Sequence, residues 1–298
     1  MVTEEGHPDL ATEMFVRYRN LLFTVAYEML GSAADAEDVL QETWLRWAEA
    51  DLDEVRDPRA YLIRITTRQA LSRLRALARR RELYIGPWLP EPLLTSATLA
   101  DDIELAESIS MAMLVVLETL SPTERAVFVL REVFDVGYDE IADVIGKSHD
   151  AVRQIGHRAR SHVAARRPRH VGPVEAQTVV EAFQRAVVTG DVNSLLDVLA
   201  PDVVALSDGG GVKQALPRPI VGADKVSRLY GAGLKHAGPA LSAELVEVNG
   251  RPALLIRLDG ELDGIMAFRI EDGLVSGLYY VCNPEKLSRL AQETAVSR

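Results

Sequence analysis

DEIADVIGKSHDAVRQIGHRAR, residues 139 to 160, is the stretch whose spacing decides the fold around it. Ala142 is followed four residues later by Gly146, and six residues after that by Val152. A small residue lets two helices touch, a glycine accepts the left-handed conformation of a tight turn, and a branched residue locks the second helix against the first. The spacing therefore predicts a helix-turn-helix, with Ser148 as N-cap of its second helix. Val152, Ile155 and Ala159 share one side of that helix, which leaves His149, Asp150, Arg153, Gln154, His157 and Arg158 on the other. Arg and Gln form bidentate bonds to base edges, and the remaining types hold phosphates, so this helix suits a major groove. A three-helix bundle with a solvated basic face is the competing reading.

The surroundings make such a helix unexpected, because the 298-residue chain carries a formal net charge of −11. The charge is segregated: from Arg56 to Arg81 nine arginines meet one acid, Asp57, and from Lys147 to His170 seven Lys or Arg meet one, Asp150. An acidic remainder repels polyanions at long range, so nucleic acid is expected at these two islands. A single cysteine, Cys282, excludes an intrachain disulfide. The acidic N-terminus is unlike a signal peptide, and no apolar run reaches the roughly 20 residues of a membrane span, so a cytoplasmic protein with no membrane partner is expected.

Outward from the basic helix, SPTERAVFVLREVF opens with Ser121 as N-cap, Pro122 at the first helical position and Glu124 closing a capping box. Further upstream, Ala36, Val39, Leu40, Thr43, Trp44 and Trp47 form one apolar stripe, and Asp35, Asp38, Gln41, Glu42 and Leu45 point elsewhere. Pro58 starts a second helix whose Leu62, Ile63, Ala70, Leu74 and Leu77 share one side while Arg64, Arg68, Arg75 and Arg79 share the other. Residues 85 to 102, with three prolines, read as a linker, and 167 to 174 as a second one. Beyond it, helices over 174–188 and 193–199 precede the runs VVALS, AELVEV, ALLIRL, IMAFRI and LVSGLYYV. NG at 249–250 and DG at 272–273 favour hairpins between neighbours, which predicts an α+β unit with an antiparallel sheet.

DAEDVLQETWLRW, RDPRAYLIRITTRQALSRLRALARR and LSPTERAVFVLREVFDVGYDEIADVIGKSHDAVRQIGHRAR, in that order, resemble regions two and four of an extracytoplasmic-function sigma factor. The resemblance implies that Asp35, Asp38, Gln41, Glu42 and Leu45 dock on core RNA polymerase. It implies contact of Arg64, Thr67, Arg68, Ser72, Arg75 and Arg79 with the minus-10 promoter element, and of Ser148, His149, Asp150, Arg153, Gln154, His157 and Arg158 with the minus-35 element. Ser72 stands where many members have Asp, and Thr67 and Arg68 where many have Arg and Asn, so their minus-10 preference does not carry over.

VEAFQRAVVTGDVNSLLDVLAPDVVALSDGGGVKQALPRPIVGADKV and the strands after it resemble a SnoaL-like domain, a cone of curved sheet with helices over its mouth. With WLPEP in the linker (Trp88, Leu89, Pro90, Glu91, Pro92), DGGG followed by a lysine (Asp208, Gly209, Gly210, Gly211, Lys213), and NPEKL (Asn283, Pro284, Glu285, Lys286, Leu287), the chain resembles J-type sigma factors, in which that domain is fused to the sigma core. The implied multidomain arrangement is two all-α sigma domains, the second a helix-turn-helix, followed by an α+β SnoaL-like cone with a curved antiparallel sheet. It runs as sigma region two over 1–83, linker over 84–104, region four over 105–167, linker over 168–173 and regulatory domain over 174–298. Regulation in cis by the fused domain follows, without a separate anti-sigma factor. No cofactor, metal site or catalytic residue is expected; a small-molecule ligand of the C-terminal domain stays unknown. Asp202, Asp208, Tyr230, His236 and Tyr279 are the residues an enzyme of this fold would use, but no acid-base pair among them is legible. A one-component regulator that senses a small molecule and binds an operator is the other alternative, and it leaves DAEDVLQETWLRW without a role.

Overall fold

The computed structural model describes residues 10–81, 83–96, 102–237, 241–290 and 293–298, with the side chains at 79, 80 and 232–237 outside the description. The chain forms two compact units, each built from separated stretches: Met1–Ala78, Leu120–Ser161 and Val296–Arg298 in one, Arg79–Thr119 and His162–Ala295 in the other.

The first unit is helical. α1 (Leu10–Leu30), α2 (Ala33–Ala48) and α3 (Pro58–Arg81) lead to α6 (Pro122–Phe128), α7 (Tyr138–Ile145) and α8 (His149–Ala164), which runs on past the end of the unit. Both partners of the capping box on α6 are in place, so the Ser121 side chain and Glu124 satisfy each other's backbone N–H groups. A wide turn over Val129–Val133 continues α6. Arg125 is buried, and its Nε donates to the Glu28 carbonyl of α1 at 2.9 Å. The α2 stripe packs inward as its period requires, with Trp47 fully buried and its indole N–H on the Ala11 carbonyl at 2.8 Å. Trp44 is only partly covered and meets Phe15 edge-on.

The second unit is α+β. α9 (Pro173–Thr189), α10 (Val192–Val198) and α11 (Ala223–Ala237) cover one face of a six-stranded sheet in the order β2-β1-β6-β5-β4-β3. The strands are β1 (Leu199–Asp208), β2 (Ile220–Val221), β3 (Leu241–Val248), β4 (Arg251–Leu258), β5 (Glu261–Glu271) and β6 (Leu274–Val281). One expectation is corrected: the sheet is mixed, because β1 pairs with β6 in parallel and only the other neighbours are antiparallel. Hairpin dipeptides join β3 through β6 in sequence, whereas β1 enters from a helix and returns to β6 across the whole meander, which permits a parallel pairing. Asn249, Asp259 and Asp272, each followed by glycine, take positive φ at the three hairpin turns.

The sheet's opposite face holds part of the linker and the start of the stretch read as region four. Leu89, Met111 and Ala112 pack there with Val248, Ala253, Ile265, Tyr279 and Val281. α4 (Ile103–Ser108) and α5 (Met111–Leu117) therefore belong to this unit rather than to the helical one that holds α6 to α8. The physical reason is the alternation of the strands: both faces are apolar, and burying a side chain such as Leu89 contributes about 1.5–3 kcal/mol. Leu94 bridges Val248 at the sheet edge, Thr95 N–H donates to Glu247 O at 3.0 Å, and Asn249 ties Leu93 N–H and the Ile109 carbonyl at 2.9 and 2.8 Å. A polar edge that would otherwise stand open is thereby paired.

Candidate functional site

In the first unit, α7, the turn and α8 form the expected helix-turn-helix. Gly146 adopts φ +68°, its N–H closing on the Ala142 carbonyl at 2.9 Å. Val152, Ile155 and Ala159 are buried, and His149, Asp150, Arg153, Gln154, His157 and Arg158 are all exposed, as is Ser148. Gly156 is a close approach that sequence reasoning passed over: a Cβ there would come within 3.2 Å of the Tyr138 ring. The His149 ring meets the Asp139 carboxylate of α7, so one member of this face is already engaged.

On α3 the ridge is less free than the arginine count suggests. Arg68 donates from Nη2 to the Asp143 carbonyl at 2.8 Å and from Nε to the Val144 carbonyl at 3.2 Å, capping the C-terminus of α7 where the helix dipole is negative. Thr67, expected on the ridge, is fully buried, because it lies four residues after Ile63 and three before Ala70 on the apolar stripe, and its Oγ1 has no partner among the described residues. Arg64 rests its guanidinium 4.7 Å from the Tyr61 ring, and Ser72 and Arg75 are exposed. Arg79's side chain lies outside the described residues.

Arg73, which the sequence left unassigned, joins α3 to α2. It meets Asp35 at 2.6 Å and Asp38 at 2.5 Å, with Glu42 4.0 Å away. Burial opposes its charge, but the hydrogen bond and field of Asp35, reinforced by Asp38, hold the guanidinium above its ordinary value. Asp38, Gln41, Glu42 and Leu45 are exposed, Leu45 at 63%, and Asp35 is half-buried. An apolar side chain ringed by polar ones on an open helix face has the composition of a docking surface.

In the second unit the three motifs of the C-terminal reading converge on one carboxylate. Asp208 ends β1 with its side chain wholly buried. Its Oδ1 accepts from the Tyr84 hydroxyl at 2.6 Å and Gly210 N–H at 3.0 Å; its Oδ2 accepts from Leu89 N–H at 2.8 Å and Lys286 Nζ at 2.7 Å. Lys286 also donates to the Leu89 carbonyl and lies 4.0 Å from the Trp88 ring, which Arg81 approaches at 3.6 Å. Burial lowers the lysine's pKa and raises that of Tyr84, with Asp208 pulling Lys286 back up and pushing Tyr84 higher still. Asn283 caps α12 (Pro284–Leu287) through its Oδ1 and donates from Nδ2 to the Tyr84 hydroxyl at 3.1 Å. A Cβ on Gly210 would sit 2.5 Å from Asn283, and one on Gly209 2.3 Å from the Lys213 carbonyl, so both positions require glycine. Gly211 lies against Ile85. Pro90, Glu91 and Pro92 are buried, Leu287 packs on the sheet, and Pro284 and Glu285 face solvent.

Lys213 is the exception. It pairs with Asp263 at 2.7 Å rather than with Asp208 or the linker, because the glycine turn carries it past the end of β1 toward β5. The residues an enzyme would use do not gather: Asp202 is exposed, Asp208 is spent on four donors, Tyr230 and Tyr279 belong to the packing on opposite sheet faces, and the His236 side chain lies outside the described residues. Among the described residues no cluster of three metal-ligating side chains occurs, and no helix is long and apolar enough to cross a membrane.

Residues 14–80 match the model of sigma-70 region 2, and residues 110–163 that of sigma-70 region 4. The ECF RNA polymerase sigma factor SigJ of Mycobacterium tuberculosis is 37% identical over 95% of this chain and 97% of its own. SigI of the same organism is 33% identical over 93% of this chain and 94% of its own. A crystal structure of M. tuberculosis SigJ superposes with a TM-score of 0.77 at 34% identity, covering 94% of this chain and 99% of that one. The chain belongs to the extracytoplasmic-function RNA polymerase sigma factors, alternative sigma factors of transcription initiation, and shares with SigJ the order of helical sigma segments and α+β domain.

Proposed function

We propose that the α+β domain governs this sigma factor in cis, by fixing the connection between its two nucleic-acid segments at Asp208. One observation carries the reading: a fully buried carboxylate at the end of β1 takes the Leu89 N–H, the Tyr84 hydroxyl and the lysine of NPEKL together. A buried ion pair that loses one partner costs about 3–5 kcal/mol, so the contact is a strong restraint on residues 84–89. Under this reading α8 reads the minus-35 element through Arg153 and Gln154, with His149, Asp150, His157 and Arg158 holding phosphates. Arg64, Ser72, Arg75 and Arg79 meet the minus-10 region. Asp38, Gln41, Glu42 and Leu45 dock on core polymerase, with Asp35 positioned by Arg73. The protein acts in the cytoplasm with core polymerase and promoter DNA as partners, without catalysis and without a separate anti-sigma factor.

The test is reconstituted transcription with core polymerase and a cognate promoter, comparing the full-length protein with Asp208→Ala and Lys286→Met. Both variants disturb the same contact from opposite sides and are expected to change transcript yield several-fold in the same direction. Unchanged yield from both would overturn control in cis.

A further inference from the structure

On the sheet face covered by α9 and α11 lies a cavity of about 350 Å³, walled by Val187, Leu229, Leu241, Ile256 and Met266. Few polar groups reach it: Ser207 from β1, Tyr230 from α11, Tyr280 from β6 and Gln214 at its exposed rim. The Tyr280 hydroxyl is already bonded to Asp263, which Lys213 neutralises at 2.7 Å. The Tyr230 hydroxyl has no hydrogen-bond partner among the described residues, and burial pushes its pKa up. A cavity of this size with apolar walls and an unsatisfied buried hydroxyl has the character of a small-molecule site. Among the described residues no ionised side chain lines it, so a charged guest would lose its hydration without a counter-ion there.

The cavity and the linker contact share one piece of chain. Ser207 and Asp208 are consecutive, so alternation sends the first into the cavity wall and the second to the linker. The loop that follows begins with Gly210 N–H on Asp208 and Gly211 against Ile85, and ends with Ala215 and Leu216 in the cavity wall. Both Val212 and Lys213 N–H groups close on the Gly209 carbonyl at 3.0 Å, which makes the loop a tight unit.

We propose that this cavity binds a small uncharged molecule, mostly apolar with one hydroxyl or carbonyl group, and that its occupancy alters the Asp208 contact through the loop 209–216. The second half rests on the reading of control in cis; the first does not. The probe is 1-naphthol, titrated into the full-length protein by its fluorescence, with 1-naphthoate as the charged counterpart and naphthalene as the counterpart without a hydroxyl.

One saturable naphthol site is expected, at least tenfold tighter than for naphthoate. Met266→Trp and, separately, Ala215→Phe fill the space and are expected to weaken binding at least tenfold. Tyr230→Phe keeps the shape and is expected to weaken naphthol several-fold while leaving naphthalene unchanged, a readout that does not depend on how the filled variants fold. Linkage is reciprocal, so Asp208→Asn is expected to shift naphthol affinity about fivefold. Absent or non-saturable binding, or equal binding by the filled variants and Tyr230→Phe, would overturn the site. Unaltered affinity in Asp208→Asn would overturn the coupling. Transcription is not read in this experiment, so its failure is separate from failure of the cis-control assay.

Discussion

Thr67 and Arg68 are neighbours on α3 with opposite surroundings, one sealed in the interior with a hydroxyl unpartnered among the described residues, the other reaching the last carbonyls of α7. An unsatisfied buried hydroxyl costs about 1–3 kcal/mol, so Thr67→Val is expected to raise stability by about 1 kcal/mol, measured as a higher urea midpoint, with promoter recognition unchanged. Arg68→Ala removes a helix-end cation and is expected to lower stability by about 0.3–1 kcal/mol. Arg153→Ala on α8 is expected to leave folding intact and weaken promoter affinity by about 1–3 kcal/mol; equal affinity for promoters with intact and scrambled upstream elements would show that the helix reads no base there. At this scale the sequence was a good guide wherever the helical period decides exposure, as along α8. It was a poor one for Arg68 and Arg73, whose partners lie on other helices at separations that periodicity does not encode.

Among the elements, the linker departs furthest from its sequence reading. Three prolines between residues 85 and 102 mark non-helical chain, and nothing in that composition tells an exposed loop from one laid on a sheet. In the structure Leu89 and Leu93 are almost fully covered. Chymotrypsin is therefore expected to spare the Trp88–Leu89 bond in the native protein and to cut it readily in Asp208→Ala, where the carboxylate that holds Leu89 N–H and Lys286 is gone. Equal protection of the two proteins would mean that apolar packing alone retains the segment. DGGG and NPEKL were visible as motifs, and the identity of the lysine that meets Asp208 was not, since that depends on which strands pair and in which direction.

For the whole molecule, the acidic composition turns into acid sensitivity through particular pairs. In the α+β unit Glu107, Asp263 and Glu271 are each held below the usual carboxylate range. Burial opposes ionisation in all three, but His170 and Arg167, Lys213 and Tyr280, and Arg269 outweigh it. Their contribution is complete above the ordinary carboxylate pKa of about 4 and is lost as pH falls through the lowered folded values. Stability is expected to drop on acidification below about pH 4, and Glu107→Gln to flatten that slope in urea melts taken across the range. The six-stranded mixed sheet also bears on inheritance. Asp208 stands opposite Val281 in the parallel β1–β6 register, so the two strands end side by side and release DGGG and NPEKL at one place, although more than seventy positions separate them in the chain. An antiparallel pairing would have sent them to opposite ends of strands roughly 30 Å long. Deletion of a single residue from either strand would turn its motif to the other face, whereas the hairpins between β3 and β5 can lengthen or shorten without disturbing that meeting point. The two motifs are thus bound to change together or not at all, while the stretch of chain between them is free to drift.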